Sequence, residues 1–250
     1  MTGDQYVDEI LAKYAVNPLT AKGAAENVAP KLRQWAGVYL SDLAYSGSFA
    51  KGTGNSLSTD VDLFISLNAS TPDTLGQVYS SLLKLARDQG WSPVRQNVSI
   101  GINCGGVKLD LVPGKIQSGY QNYHSLYKSK SASWTQTNVK LHVDTVLKSG
   151  RAREIRAVKL WRSLHRLEFP SFLLELAVIE ALKSRSRTEP AGNVLAALGY
   201  IGANLPTLRI VDPANTNNLV SDDMTVAEKN AVAANARTSA QKQYWKDIIW

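Results

Sequence analysis

The chain has 250 residues, 44% of them hydrophobic, and no repeat or low-complexity tract, so we expect one sizeable core or two smaller lobes rather than disorder. Its formal net charge of +7 favours anionic partners, either nucleotides or nucleic acid. A single cysteine, Cys104, excludes an internal disulfide and a thiolate zinc cluster, and the absence of a signal-peptide pattern or a long apolar run predicts a cytoplasmic protein with no membrane partner.

The N-terminal region is predicted to contain two helices. Residues 4–14 place apolar side chains on one side of a helix, whereas residues 17–29 contain a proline and a glycine and are predicted to be a break. A second helix is expected from Pro30 to Leu43, because proline suits a first helical turn and apolar residues then recur at three- and four-residue spacing. This helix would lead directly into the Gly-Ser pair that begins at Gly47.

The segment from Gly47 to Leu67, GSFAKGTGNSLSTDVDLFISL, has the strongest functional pattern. Asp60 and Asp62 are two residues apart in a predicted strand, so their side chains share one face while the apolar residues face the core. Adjacent carboxylates repel each other unless a cation lies between them, and Mg²⁺ takes oxygen ligands that it shares with substrate phosphates. Gly47 and Ser48 offer an anion a close backbone approach and a hydroxyl donor. The pattern indicates chemistry on a nucleoside triphosphate; the alternative is a loop followed by two solvated aspartates.

Two further strands are expected after a predicted helix at residues 75–89. They lie at residues 94–102 and 107–112, and Gly105-Gly106 between them is typical of a hairpin turn. The pair would extend the sheet that contains Asp62.

Asp110 is a charged residue within the second of these apolar strands. The neighbouring apolar side chains face the core, so Asp110 points to the opposite face. A carboxylate in such surroundings needs a partner, and the alternative to a functional role is a salt bridge with Lys108 or Arg95. Beside the strand of Asp60 and Asp62, Asp110 would be a third acidic group of the site.

A second, helical lobe is predicted to start near Thr145, after a loop-rich stretch at residues 113–140. Its first helix has an apolar stripe on one side, and the other side is basic, with Arg151, Arg153, Arg156, Lys159, Arg162 and Arg166. Such a charge run is most often a solvated face. After Pro170, Ser171 can cap a helix that is apolar nearly all round from Phe172 onwards, which predicts a buried helix.

The C-terminal part is expected to contain a short helix near residues 193–198, a rigid turn at residues 211–220 and an alanine-rich helix. Thr225 followed by Glu228 is a capping-box pattern for the start of that last helix.

The motif GSFAKGT…STDVDLFISL resembles the signature of the DNA polymerase β-like nucleotidyltransferases, and more narrowly the oligoadenylate synthetase and cyclic GMP-AMP synthase branch with its bacterial cyclic-oligonucleotide synthase relatives. The resemblance covers roughly residues 30–250. It implies an α/β (α+β) fold, in which residues 1–144 form a catalytic lobe with a spine helix and a small mixed sheet. Residues 145–250 would form a helical lobe that closes over the nucleotide.

The resemblance also implies roles for individual residues. Asp60, Asp62 and Asp110 would hold two Mg²⁺ ions, with Mn²⁺ as a substitute, and Gly47 and Ser48 would bind the β- and γ-phosphates. In the later stretch AVKLWRSLHRLEFPSFLLELAVIEAL, the matching positions are Lys159 for the phosphates and Ser171 with Phe172 for the base. The alternatives for these three are a solvated lysine, a plain helix cap and a core phenylalanine.

The implied reaction is attack of a ribose hydroxyl on an α-phosphate with release of pyrophosphate. The products in this branch are cyclic or 2′-5′-linked oligonucleotide signals, often in antiviral defence, with nucleoside triphosphates such as ATP as substrates. The basic helix is a candidate surface for an RNA or DNA activator. One alternative is an RNA 3′-end transferase of the CCA-adding or poly(A) type, although 250 residues are few for it. Another is a non-catalytic nucleic-acid-binding protein on the same fold.

Overall fold

A computed structural model describes residues 1–57, 60–120 and 122–250, and within them the chain forms two compact units. One, the helical unit, comprises Met1–Val16, Lys51–Ser58 and Asp144–Trp250, and the other, the sheet unit, comprises Asn17–Ala50 and Thr59–Val143. The predicted division between residues 144 and 145 therefore differs from the structure in residues 1–16 and 51–58, and by the single residue 144 at the boundary. The first of these joins the helical unit because Val7, Ile10 and Leu11 are buried in its hydrophobic core.

The helices and strands of the described residues are numbered here in chain order. The helices are α1 (Gly3–Lys13), α2 (Pro18–Ala36), α3 (Gly47–Ala50), α4 (Leu75–Asp88), α5 (Val139–Ser149), α6 (Ala152–Leu164), α7 (Ser171–Leu182), α8 (Pro190–Asn204) and α9 (Val226–Ala240). The strands are β1 (Leu40–Tyr45), β2 (Val61–Leu67), β3 (Val94–Arg95), β4 (Ile100–Cys104), β5 (Val107–Ile116), β6 (His124–Lys128), β7 (Ser133–Thr137), β8 (Val211–Asp212) and β9 (Asn215–Leu219). No described helix has the length and apolar character needed to cross a membrane.

The sheet unit is built on a mixed sheet of seven described strands, whereas the resemblance implied a small mixed sheet. The strand order is β1-β2-β5-β4-β3, with β6 paired to β5 and β7 paired to β6. Strands β2 and β5 run parallel, and the other pairs are antiparallel. One face of β2, with Val61, Leu63 and Ile65 almost fully buried, packs in the same core as apolar residues of α2 and α4. The period-two pattern of β2 thus fixes which of its residues face the core.

The long helix of the sheet unit begins earlier and ends earlier than predicted. Asn17 caps α2 by accepting hydrogen bonds from the backbone N–H groups of Leu19 and Thr20, so the expected break at residues 17–29 is wrong. Pro30 lies inside the helix on an exposed side, and the buried alanines and Val28 of α2 hold this stretch against the sheet. The helix ends at Ala36, and Leu43 lies in β1 instead.

The stretch at residues 113–140 is mostly sheet, which corrects the prediction of a loop. Strand β5 continues to Ile116, and β6 and β7 form an antiparallel hairpin on it. The tyrosine-rich composition of this stretch is explained in part by packing, because the Tyr127 ring lies 5.6 Å from the buried Tyr79 ring. The same Tyr79 hydroxyl donates hydrogen bonds to the carbonyls of Gln96 and Ser99, where the predicted strand at residues 94–102 is interrupted.

The helical unit has its core between α6, α7, α8 and α9, with contributions from α1. Trp161 of α6 is fully buried, and its indole N–H donates to the Ser239 hydroxyl at 2.9 Å. The predicted short helix at residues 193–198 is in fact the longer α8, and residues 211–220 contain the β8–β9 hairpin rather than a plain turn. The capping box of Thr225 and Glu228 is confirmed at the start of α9.

Candidate active site

Asp62 and Asp110 are brought side by side by the parallel pairing of β2 and β5. The register places Asp62 directly beside Asp110, and Leu63 beside Leu111. Residues in register on neighbouring strands project to the same face, so both carboxylates lie on the face opposite the buried leucines. Both aspartates are half-buried. The structure therefore brings together two of the three predicted acidic residues.

Asp60 lies just before β2 and is exposed. Burial raises the pKa of Asp110, and the nearby charge of Asp60 raises it further, while a hydrogen bond from Gln96 and the charge of Lys108 act in the opposite direction. The Gln96 amide donates to the Asp110 carboxylate at 2.9 Å. Asp60 and Asp110 are thus electrostatically coupled, and like charges held close together favour a bound cation.

The salt-bridge alternative for Asp110 does not fit the described contacts. Its hydrogen-bond partner is the neutral amide of Gln96 rather than Lys108 or Arg95. The Arg95 guanidinium lies over the ring of Tyr79, 5.6 Å from its centroid. A structural ion pair therefore does not explain the carboxylate in β5.

Gly47 lies against the carboxylate of Asp62. Its φ angle is +56°, and a Cβ atom at this position would lie 1.7 Å from Asp62 Oδ2. The backbone N–H of Ser46 donates to the Asp62 carbonyl at 2.8 Å, which fixes the start of the turn against β2. Ser48 follows in the single helical turn α3 and is half-buried. The Gly-Ser turn and the acidic pair are therefore neighbours in the sheet unit.

The carboxylate oxygens of the site suit a hard cation whose remaining coordination positions are filled by the substrate. Among the described residues, no group of three His, Cys, Asp or Glu side chains is already arranged to hold a metal ion. Mg²⁺ typically takes only one or two carboxylates from the protein and fills its remaining positions with water and substrate phosphates. The adjacent oxygens of Asp62 and Asp110, with Asp60 nearby, fit that requirement.

In the helical unit, Lys159 belongs to a buried cluster that the sequence did not predict. Its Nζ donates to Glu175 Oε1 at 2.6 Å and to the Thr53 hydroxyl at 3.0 Å. Lys51 Nζ donates to the other carboxylate oxygen of Glu175 at 2.8 Å, and Thr53 donates to Oε1 at 2.8 Å. We call Lys51, Thr53, Lys159 and Glu175 the Lys–Glu–Lys cluster. Lys159 is 2% exposed and Glu175 is 1% exposed, so the alternative of a solvated lysine is wrong.

The cluster holds two cations on one carboxylate. Burial alone would raise the pKa of Glu175, but the two lysines outweigh it and lower that pKa. Burial lowers the pKa of Lys159, and the charge of Glu175 partly offsets this. A buried group with two ammonium ions and one carboxylate has a surplus positive charge, which favours an anion. Glu175 was missed by sequence reasoning, although a charged residue within the apolar stretch SFLLELAVIEAL is the same kind of signal that identified Asp110.

Ser171 and Phe172 open α7 as predicted; Ser171 does not match its alternative of a plain helix cap, and Phe172 matches its alternative of a core residue only in part. Among the described contacts, Ser171 makes no capping hydrogen bond, and its exposed hydroxyl accepts from Arg162 at 2.9 Å. Phe172 packs against the core with part of its surface, and the Lys51 Nζ lies 4.5 Å from its ring centroid. Their assignment to base binding stays a prediction.

The predicted basic face of α6 is not one continuous surface. Arg151 is 4% exposed and donates to the carbonyl of Leu182 at 2.7 Å. Arg156 donates to the carbonyl of Leu11, and Arg162 donates to the carbonyl of Phe169. These guanidinium groups bind backbone carbonyls of the helical unit, which corrects the expectation that the run of arginines is a free surface for RNA or DNA.

Comparison with known proteins gives one curated relative and a set of similar structures. The chain matches no protein-family model. It is 26% identical over 171 residues to the cyclic AMP-AMP-AMP synthase of Escherichia coli (strain MS 115-1), an alignment that covers 59% of this chain and 53% of that protein. The chain thus spans about half the length of this relative.

The structural similarities extend over nearly the whole chain. The structure of E. coli MS115-1 CdnC with ATP has a TM-score of 0.73 at 20% identity, covering 94% of this chain and 89% of that chain. The Bradyrhizobium diazoefficiens CD-NTase CdnG in complex with GTP has a TM-score of 0.78 at 13% identity, covering 96% and 90%. These findings confirm the predicted polymerase β-like fold and the resemblance to nucleotidyltransferases that synthesise cyclic oligonucleotides.

Proposed function

We propose that this chain is a metal-dependent nucleotidyltransferase that joins nucleoside triphosphates into a cyclic oligonucleotide with release of pyrophosphate. The observation that carries the proposal is the pairing of Asp62 with Asp110 across two parallel strands, with Gly47 lying against the Asp62 carboxylate. Carboxylates that can hold metal ions, beside donors that can bind phosphate oxygens, suit the stabilisation of charge in phosphoryl transfer. The name of the E. coli relative supports the cyclic product.

Asp60, Asp62 and Asp110 are the residues that would hold two Mg²⁺ ions. When bound, the ions supply positive charge to the attacking and leaving oxygens of the transferred phosphoryl group. The fixed register of β2 and β5 holds the Asp62 and Asp110 carboxylates in position before substrate arrives. The raised pKa of Asp110 reflects repulsion from Asp60 as well as burial, and that repulsion is relieved when a cation binds.

The Gly-Ser turn would bind the β- and γ-phosphates of the donor nucleotide. Only a residue without a Cβ fits at Gly47, so the backbone of the turn can lie close to the Asp62 carboxylate, where it would also approach a phosphate. The Ser48 hydroxyl would donate a hydrogen bond to a phosphate oxygen.

Lys159 would bind a phosphate of the donor nucleotide, and Glu175 would set the position of its ammonium group. Two of the three N–H donors of Lys159 are used by Glu175 and Thr53, which fixes the direction of the ammonium group. The surplus positive charge that it shares with Lys51 would be balanced by phosphate. Ser171 and Phe172, at the start of α7, would contact the base.

We further propose ATP as a substrate, because the curated relative is named for a product of three adenylates. A cytoplasmic location, a role in antiviral defence and the use of Mn²⁺ in place of Mg²⁺ are parts of the same proposal.

Incubation with labelled nucleoside triphosphates tests this function. The protein is mixed with each of the four nucleotides and with all of them, in Mg²⁺ or in EDTA, and the products are separated by chromatography before and after phosphatase treatment. A phosphatase-resistant product and pyrophosphate, both dependent on Mg²⁺, are expected. A linear product would correct the proposed ring closure, and a labelled tRNA or RNA end in a parallel reaction would support the 3′-end transferase instead.

Asp62→Asn is the variant for this assay, and Asp73→Asn is its matched control. Both remove one carboxylate charge from the sheet unit, but Asp73 is exposed in the loop before α4. Loss of product in the first variant and retention in the second would assign the reaction to the acidic pair. Wild-type protein that releases no pyrophosphate from any nucleotide mixture would contradict the proposal.

A further inference from the structure

The helical unit contains a basic surface cavity that is lined by none of the residues assigned to the reaction. It has a volume of about 650 Å³, and its lining includes the cationic side chains of Arg151, Lys183, Arg185 and Arg187. Three serines also line it, and none of the described residues that line it is acidic. The exposed cations come from one stretch, residues 183–187 with the sequence KSRSR, which we call the basic loop.

A buried arginine holds the basic loop in one conformation. The Arg151 guanidinium donates to the carbonyls of Leu182, at 2.7 Å, of Ser186, at 3.0 Å, and of Arg185. Its charge is balanced by Glu154 at 3.2 Å. A guanidinium group that binds two carbonyls of the basic loop and the last carbonyl of α7 turns those carbonyls inwards. The exposed side chains of the loop are therefore presented from a fixed backbone.

The two exposed arginines of the loop are themselves held in place. Arg185 Nε donates to the Asn193 side chain at 2.9 Å, and Asn193 in turn donates to the Ser186 carbonyl at 2.7 Å. Arg187 donates to the Ser149 carbonyl at 3.1 Å. The contact of each arginine uses one of the five N–H donors of its guanidinium group. Most of the remaining donors can serve a ligand without the loss of freedom that an unrestrained arginine would incur.

We infer that this cavity binds an oligophosphate anion, that is, a small ligand with two or more phosphoryl groups. Planar guanidinium groups bind phosphate oxygens in pairs, and charge-assisted hydrogen bonds of this type are among the strongest in proteins. Arg185 and Arg187 supply two such groups on one loop, and Lys183 supplies an ammonium ion, although it also pairs with Glu180. Two guanidinium groups suit two phosphoryl groups, and the cavity is large enough for a nucleotide-sized ligand. The phosphates can come from an inorganic chain or from a nucleotide.

The inference is independent of the proposed reaction, because none of its residues belongs to the acidic site or to the Lys–Glu–Lys cluster. The test is calorimetric titration of the full chain with inorganic tripolyphosphate in EDTA at low ionic strength. Arg187→Gln should weaken binding by about tenfold or more, since it removes a charge-assisted donor pair. Arg187→Lys keeps the charge but loses the paired N–H donors of the guanidinium group, so it should retain only part of the wild-type affinity.

Two further variants separate this cavity from other sources of binding. Arg87→Gln removes one charge from an exposed arginine of α4 and should bind like wild type. Ser48→Ala tests the Gly-Ser turn, the other phosphate site proposed for this chain, and any loss that it causes should leave the loss in Arg187→Gln unchanged. If Arg187→Gln unfolds at the same temperature as wild type, the loss of affinity is a local effect at the cavity. We expect this result because Arg187 makes its contact at the surface.

Titration with ATP and with a 5′-phosphorylated dinucleotide then identifies the source of the phosphates. If the ligand is a nucleotide, Arg187→Gln should lose more affinity for ATP or the dinucleotide than for tripolyphosphate. If the ligand is an inorganic chain, the variant should lose more affinity for tripolyphosphate. No saturable binding of tripolyphosphate to wild type would overturn the inference. So would equal losses in Arg187→Gln and Arg87→Gln, or a loss in Ser48→Ala without one in Arg187→Gln.

Discussion

Gly47→Ala is expected to damage catalysis far more than folding. The alanine Cβ would lie 1.7 Å from Asp62 Oδ2 and 2.4 Å from its Cγ, and contacts shorter than 3.0 Å are essentially never made by a real Cβ atom. The Asp62 carboxylate would therefore have to move by roughly 1 Å or more, and a displacement of that size in a reacting group can cost about a hundredfold in rate. The strained backbone adds a separate cost of roughly 1–2 kcal/mol, because an L-residue disfavours the left-handed region.

Gly105→Ala is the matched control for this prediction. Gly105 belongs to the same unit and has a φ of +60°, but beyond its chain neighbours no described heavy atom lies within 4 Å of the place that an alanine Cβ would occupy. The two variants should therefore lose a similar roughly 1–2 kcal/mol in urea unfolding, since the backbone strain is shared. Only Gly47→Ala should lose about two orders of magnitude in pyrophosphate release from ATP with Mg²⁺. Equal activity of the two variants would refute the idea that the close approach of Gly47 to Asp62 serves the reaction.

The remaining predictions concern the charges of the two units. Asp62→Asn should abolish nucleotide turnover while leaving the unfolding temperature nearly unchanged, and near-wild-type pyrophosphate release would contradict it. Ser48→Ala should weaken ATP binding in calorimetry by about 1.5–3 kcal/mol, and unchanged affinity would place the turn away from the phosphates. Glu175→Gln should cost about 3–5 kcal/mol in urea unfolding at pH 7, because it leaves two buried ammonium ions without their carboxylate. The pKa of Glu175 is lowered on folding, so its contribution to the free energy of unfolding is present above about pH 4.3 and is lost as the pH falls through its pKa in the folded protein. If the variant lost as much stability at acid pH as wild type, Glu175 would be excluded as the source of that loss. The pKa of Asp110 is raised, so Asp110→Asn should increase stability at pH 7 in EDTA, and the gain should disappear at acid pH where both states bind the proton.

The Lys–Glu–Lys cluster explains why a short segment of the chain belongs to the helical unit. Residues 51–58 follow the Gly-Ser turn directly, yet Lys51 and Thr53 are buried against Glu175 of α7. A lysine is rarely buried unless it pairs with a carboxylate, so the contact of Lys51 with Glu175 fixes where the segment packs. The same carboxylate fixes Lys159, so one residue positions two cations that come from distant parts of the sequence.

Local patterns were sufficient for several parts of this protein. The alternation in VDLFISL placed Asp62 opposite the core, because side chains in a strand alternate between its two faces. The Gly105-Gly106 pair formed the predicted hairpin turn with both residues at positive φ, and Thr225 with Glu228 capped α9. Each of these features depends on atoms a few residues apart, and so the sequence around them contains the necessary information.

Other features depend on contacts between residues far apart in the chain. Helix α2 continues past Pro30 because its buried alanines pack on the sheet, which no local propensity indicates. The adjacency of Asp62 and Asp110 required the register of β2 with β5, and the burial of Lys159 required Glu175, whose carboxylate balances its charge. Arg151 looked like part of a solvated basic face, yet it binds carbonyls 31 to 35 residues away. A charged side chain has the same chemistry on a surface and in a core, and its role is set by the partners that tertiary packing brings within hydrogen-bonding distance.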